Sequence, residues 1–436
     1  MSYDMKKPTQ FIPTFIINLK NRNERREHIL AEFVNRAAFD IHLIEPIPDK
    51  IAAKSLWLTV KRIVQLGMAA HHDFILLCED DHCFTKNFSI GELYNCISEA
   101  DDLHCEILCG GVNSVRSTFS VSKNLYWMEQ FTGLQFTIIF CRFYSTLLQL
   151  PFDNEDCADI LISRFAKQKF VIHPFISVQK EFGYSDVTIS NNQAGFISDL
   201  FLKASERVHN LKKVADFYKK FPVSISQETN YDNVYIPTFV LHDTSDKRHS
   251  ENIQNQFVSR TEFDISIINR PAGADTGLLI KSIVKEALIN GDDLIIIVSD
   301  TICFSSHYNK SLFINTVIQA NQSGASLLLG NTFGFDSAVF TAPGIAWLNS
   351  FSGSDMLIIF KPMYKAILND PHNREPDGSD KLSALTSHKM IIYPFIIESN
   401  SNLAPEDHFF VVAAEKRLGF IQSSQSELLV SGIIKT

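Results

Sequence analysis

The sequence has no run approaching the roughly 20 apolar residues that a membrane span requires, and no apolar leader precedes the first candidate core strand. It has no pair of CxxC knuckles to suggest a zinc ribbon. It also lacks a Gly-rich phosphate loop and a nearby catalytic lysine motif, which speaks against a nucleotidyltransferase. Positive charge is in deficit: 40 Lys and Arg stand against 49 Asp and Glu, a net charge of -9. An acidic surface repels a phosphate backbone, so nucleic acid is not an expected partner. A phosphorylated small molecule stays compatible, because a divalent cation can supply the missing charge. These absences predict a cytoplasmic protein without a membrane span; a peripheral membrane contact remains compatible with them.

What is present is ordinary globular material, 45% hydrophobic and 20% charged. A chain of 436 residues is too long for one core, so two domains are expected. The eight cysteines fall mostly in the first half. Cys78, Cys109, Cys141 and Cys303 lie in or beside apolar runs and are expected to be reduced, buried thiols.

The chain repeats itself. Pro13-Thr14-Phe15-Ile16-Ile17 returns as Pro237-Thr238-Phe239-Val240-Leu241, and Phe39-Asp40-Ile41 as Phe263-Asp264-Ile265. FILLCEDDHCF, from Phe74, aligns with LIIIVSDTICF, from Leu294. In the same register Gly110 meets Gly330, Trp127 meets Trp347, Gly133 meets Gly353, and His173-Pro174-Phe175 meets Tyr393-Pro394-Phe395. An ordered series at a nearly constant offset marks a duplication.

Each copy opens with a β-branched strand (15–19; 239–241) and a charged helix (22–33; 247–257). A second strand is expected at 39–44 and a helix at 55–68, with Leu56, Val60, Ile63, Val64 and Met68 on one side. Phe74 to Cys78 is an unbroken apolar run ending in acids, which suits a parallel sheet covered on both faces. Further strands are expected at 106–109, 135–140 and 170–172. Leu200, Ala204, Val208, Leu211, Ala215 and Tyr218 recur at helical spacing until Pro222. The expected fold class is α/β: two tandem Rossmann-like domains with mostly parallel sheets, 1–189 and 236–436, joined by a helical linker at 190–235. A terminal helix is expected around 408–417.

Glu79-Asp80-Asp81 follows the buried strand directly. Three crowded carboxylates repel one another unless a cation or hydrogen-bond donors compensate. Ligands of open α/β sheets bind at that edge. Hard oxygens suit Mg²⁺ or Mn²⁺, which also hold the phosphates of a nucleotide diphosphate. In a continuing strand Glu79 and Asp81 face one way and Asp80 the other; a turn beginning at Asp80 would regroup them, so spacing leaves the ligand pair open. An acidic turn capping a helix or facing solvent is the plain alternative.

IINLKNRNERREHI near the start and FILLCEDD some way beyond it resemble glycosyltransferase family 25, which contains lipopolysaccharide and procollagen galactosyltransferases. The likeness spans residues 13–188. The family's Asn-Leu and arginine-rich turn fall on Asn18, Leu19, Arg22, Arg25 and Arg26. Its acidic motif falls on Glu79, Asp80 and Asp81, its Gly-x-Gln segment on Gly133 and Gln135, and its closing Gln and Ser-Asp on Gln179, Ser185 and Asp186. The resemblance implies a GT-A fold, Mn²⁺ or Mg²⁺, and transfer of a sugar from a UDP-sugar donor to a glycan, lipid-linked or peptide acceptor. It implies nucleotide-sugar contacts for Asn18, Arg22, Arg25, Glu79, Asp80, Gln135, Gln179 and Asp186. Metal contacts are implied for Asp81 with Glu79 or Asp80, and for His173, although Pro174 after it favours an ordinary core or loop histidine. Inverting transfer needs a carboxylate base; Asp156 is the first candidate, with Glu155 and Asp159 as alternatives. Asp156 and Asp159 also suit helix capping.

In the second copy the three acids become Ser299, Asp300 and Thr301, Gln135 becomes Asp355, and Asn18 becomes His242. One acid is a poor Mg²⁺ or Mn²⁺ site. The second domain therefore reads as a non-catalytic companion that positions an acceptor, mediates oligomerisation or stabilises the first. The competing reading is a binding or scaffolding protein in which neither copy turns over substrate.

Overall fold

The computed structural model describes residues 11–183, 193–221, 231–244, 247–270, 275–370 and 378–430. Two compact units form, one from residues up to 213 together with those from 424 onward, the other from residues 214–423.

The first unit begins with β1 (Ile12–Ile17), α1 (Asn23–Phe33), β2 (Phe39–Ile44), α2 (Ala52–Ala69), β3 (Phe74–Glu79) and β4 (His82–Phe84). Next come α3 (Ile90–Asp102), β5 (Ile107–Cys109), β6 (Ser114–Val115), β7 (Thr118–Ser120), β8 (Leu125–Met128) and β9 (Phe131–Thr132). It continues with β10 (Phe136–Phe140), α4 (Cys141–Gln149), α5 (Ala158–Phe165), β11 (Lys169–Ile172), β12 (Ser177–Gln179) and the part up to residue 213 of α6 (Phe196–Tyr218).

Eight strands form the main sheet in the order β2-β1-β3-β10-β5-β11-β8-β7. Pairs β1–β2, β1–β3 and β5–β11 are parallel. Pairs β3–β10, β10–β5, β11–β8 and β7–β8 are antiparallel. The sheet is therefore mixed, which corrects the expected mostly parallel arrangement. The run from Ile75 to Cys78 is fully buried, as an apolar strand covered on both faces must be. Each such side chain contributes about 1.5–3 kcal/mol through removal from water.

α2 turns Trp57, Val60, Ile63, Val64 and Gly67 inward. Met68, expected on that side, is exposed, while Gly67 brings the helix close to β3: a Cβ there would lie 2.6 Å from Ile75 Cγ2. Ile197, Phe201, Ala204 and Val208 of α6 join the same core as Phe15 and Trp57. Cys78 and Cys109 are buried as expected, but Cys141 is exposed at the start of α4 and Cys303 only half-buried.

The second unit repeats the sheet. Its strands run in the order 263–270, 236–243, 294–299, 356–360, 327–329, 389–392, 345–348 and 338–342, with the matching parallel and antiparallel pairs. The final helix, Pro405–Val430, is longer than the sequence pattern suggests. Among the described residues no helix is long and apolar enough to cross a membrane.

β2 lies on one side of β1 and β3 on the other, so the chain changes direction across the sheet between their carboxyl ends. Ile17 pairs with Ile44 and Glu79, and Phe136 of the antiparallel β10 pairs with Cys78. One rim thereby gathers Asn18, Pro46, Glu79–Asp81 and Gly133–Gln135, where open α/β sheets hold ligands.

Candidate active site

β3 ends at Glu79, and Asp80 and Asp81 form a tight turn into β4. This turn separates the three acids. Asp80 is buried and spoken for: Asn18 Nδ2 donates to it at 2.9 Å and an Arg25 guanidinium nitrogen at 2.8 Å. The same arginine nitrogen reaches Asp81 at 3.2 Å. β12 pairs with β4, which brings Gln179 alongside; its Nε2 lies 3.1 Å from Glu79 and 3.4 Å from Asp81. Asn18 and Arg25 thus hold Asp80 in place, and all three residues line the same cavity as Glu79 and Asp81.

Acids outnumber cations here, Glu79, Asp80, Asp81, Asp159 and Glu181 against Arg22, Arg25 and Lys180. Burial, then the neighbouring Asp81, Asp159 and Asp80, hold the Glu79 carboxyl well above its ordinary value, against the opposing Gln179 hydrogen bond. Burial and Asp80 push Asp81 up to about 6, although Arg25 pulls the other way. Asp159 is also raised by burial, against a hydrogen bond to its carboxylate from Gly133 N. Carboxylates raised by burial, and in Glu79 and Asp81 also by a neighbour's charge, form a site that favours an added cation.

These side chains line a cavity of about 520 Å³. One flank is apolar, with Ile17, Leu19, Pro46, Ala52, Ala53 and Leu56. The centre carries Arg22, Arg25, Glu79, Asp81 and Gln179, and the far flank carries Asn113, Thr132, Gly133, Asp159 and residues of α6. Glu79 and Asp81, joined through one amide, offer hard oxygens of the kind that Mg²⁺ and Mn²⁺ take, one or two from the protein and the rest from phosphate and water. The donor set fits such an ion.

The remaining expected residues disperse. Asp159 sits in the first turn of α5 and faces the cavity. Asp156 instead folds back, its Oδ2 accepting from Asp153 N at 2.8 Å, and Glu155 is exposed; neither lines the cavity. Gln135 is fully buried, and its Nε2 donates to Gly111 O at 2.8 Å, so it braces the rim from behind. His173 packs edge-on against Tyr126 and Phe175, with Nε2 3.2 Å from Ser205 Oγ, away from the acids. Ser185 and Asp186 lie outside the described residues. Sequence reasoning passed over Lys180, Glu181 and Phe182; Phe182 lies 4.7 Å beneath the Arg25 guanidinium. No motif marked it.

The second unit replaces this chemistry. Ser299 Oγ and Thr301 Oγ1 bond to each other at 2.7 Å. Asp300 keeps the place of Asp80, its Oδ2 3.0 Å from His242 Nδ1 and 2.9 Å from His249 Nδ1, and it also accepts from Asp243 N. Asp355 is buried and accepts from Asn331 Nδ2 and Ser399 Oγ. In the register that matches Ser163 with Ser383, Ser379 stands in the place of Asp159, and its side chain lies outside the described residues.

No family model matches the chain, and no curated protein does. Among solved structures it is similar to apo UDP-glucose pyrophosphorylase at 10% identity, over 45% of this chain and 82% of that one, with a TM-score of 0.26. It is also similar to the glycosyltransferase GlyE of Streptococcus pneumoniae TIGR4 at 9% identity, over 72% of this chain and 99% of that one, with a TM-score of 0.27. Likenesses this loose carry no argument about chemistry; the acids and the cavity do.

Proposed function

We propose that the first unit is a metal-dependent glycosyltransferase of the GT-A kind, transferring a sugar from a nucleotide-sugar, UDP-linked on the family resemblance, to a hydroxyl acceptor. The observation that carries the reading is the acid surplus of one cavity: Glu79, Asp80, Asp81, Asp159 and Glu181 line it together with Arg22, Arg25 and Lys180, and Glu79 and Asp81 are held above their ordinary values. Glu79 and Asp81 would hold Mn²⁺ or Mg²⁺. A bound ion of that kind neutralises the diphosphate as it leaves.

The apolar flank suits a nucleobase, and Arg22 on the cavity wall suits a phosphate oxygen. Asn18 and Arg25 hold Asp80 and so set the direction in which Asp81 points. Asp159 takes the role of base: it lines the cavity, burial raises its carboxyl above the ordinary value, and Gly133 N fixes its orientation. The second unit is a non-catalytic companion, because a hydroxyl pair stands where the ion's ligands would be.

A thermal-shift series with UDP-, GDP- and dTDP-sugars, with and without Mn²⁺, tests this. Stabilisation by a UDP-sugar that requires Mn²⁺ and disappears in Asp81→Asn is expected. A wild-type protein indifferent to every nucleotide would instead support a scaffold.

A further inference from the structure

α1 carries a second set of chemistry-bearing side chains one turn beyond Arg25. His28 and Glu32, four residues apart, face β4. His28 Nε2 lies 3.0 Å from His82 O and 3.6 Å from Cys83 Sγ, and Glu32 Oε2 accepts from Phe84 N at 3.0 Å. Among the described residues, these three alone bring donor atoms of His, Cys, Asp or Glu side chains all within 4.8 Å of one another. All three are half-buried, and the Phe182 ring stands edge-on to the His28 imidazole at 5.5 Å.

The second unit shows what the backbone of this seam requires. Asn252 and Gln256 occupy the places of His28 and Glu32, opposite Cys303. Asn252 Nδ2 donates to Asp300 O and Ile302 O, and Gln256 Oε1 accepts from Phe304 N at 2.9 Å. Two neutral amides thus tie the helix to the strand. An imidazole and a carboxylate beside the thiol exceed that structural need, and they are the groups that ligate a borderline-soft metal.

We propose that His28 Nε2, a Glu32 carboxylate oxygen and Cys83 Sγ form a binding site for a divalent cation of the Zn²⁺ class, separate from the acidic rim. The mixed nitrogen, oxygen and sulfur set selects against Mg²⁺ and Mn²⁺, which prefer oxygen alone. On binding, the Cys83 thiol releases its proton to solvent and the sulfur bonds the metal. The neutral imidazole changes tautomer, its proton moving from Nε2 to Nδ1, so that Nε2 gives up the hydrogen bond it donates to His82 O and offers its lone pair to the metal. Glu32 has a second oxygen beside the one that accepts from Phe84 N. Three protein ligands leave one position for water. The ion would clamp β4 to α1 two residues past Asp81, making the turn that aims the acids dependent on this metal.

The test uses the full chain and Co²⁺ as a spectroscopic probe, with Zn²⁺ stoichiometry measured against a chromophoric chelator. One Zn²⁺ per chain and a thiolate-to-cobalt charge-transfer band are expected. The band should vanish in Cys83→Ser and in His28→Asn/Glu32→Gln, which copies the second unit's amides and should leave the metal-free melting temperature unchanged. Asp81→Asn should retain the band. Absence of the band in the wild-type chain, or its survival in Cys83→Ser, would overturn the proposal. Cys83→Ser decides the matter by itself if the double variant does not fold.

Discussion

Asp81 sits where its charge is unwelcome, and this has a sign that can be measured. Its carboxyl is held up to about 6, so the folded chain keeps a proton that the unfolded chain releases near 4. The resulting stability is whole at acid pH below the unfolded value and is lost as pH rises toward 6. Above that pH, without metal or nucleotide, Asp81→Asn should stabilise the protein by on the order of 1 kcal/mol, an increment that fades toward pH 4. Urea unfolding at a series of pH values reads this directly; a destabilised variant at pH 7.5 would contradict it. Arg25 has the opposite character. Its removal strands Asp80 as a buried charge, and Arg25→Ala should cost about 3 kcal/mol or more in the same assay. The sequence displayed all three acids and Arg25, but not which acid the arginine takes. Asp80 lies 62 residues beyond Asn18 and 55 beyond Arg25 and meets them only through the pairing of β1 with β3.

At the scale of elements, the Gly133 turn connects sheet and site. Its φ of +102° is a conformation that side chains rarely adopt, and an added Cβ would lie 3.0 Å from Gln135 Oε1. Gly133→Ala should destabilise the first unit by about 1–3 kcal/mol. Because Gly133 N holds Asp159, turnover should fall more than donor affinity, visible as a lower kcat at similar KM. Equal loss in both would place Asp159 outside the chemistry. Many elements were readable beforehand: β2 spans the expected 39–44, and β3 ends one residue later than the apolar run. Strand direction was not readable. Phe136–Phe140 is apolar throughout and buried at every position, a pattern that a parallel and an antiparallel central strand share. The same blindness applies to Asp156 and Asp159: both precede or open a helix, and only the Gly133 turn, reached through the β9–β10 connection, distinguishes them.

For the whole molecule, the nearly constant offset between the halves anticipated that the sheet would recur, and the strand order recurs strand for strand. The offset also identified which rim had changed. What it did not reveal is that Asp300 keeps a structural duty, held by two histidines and a backbone N–H. Asp300→Ala should therefore lower the stability of the second unit by about 3 kcal/mol while leaving nucleotide-sugar affinity unchanged, as calorimetric titration beside unfolding curves would show. A parallel loss of affinity would assign the second unit a part in binding.

The duplicated sheet with unequal rims gives every binding measurement an internal reference. A compound recognised by the common scaffold saturates at two equivalents per chain, one in each half. A compound recognised by the acid-bearing rim saturates at one. Stoichiometry alone thus separates affinity for the architecture from affinity for the chemistry, before any residue is changed.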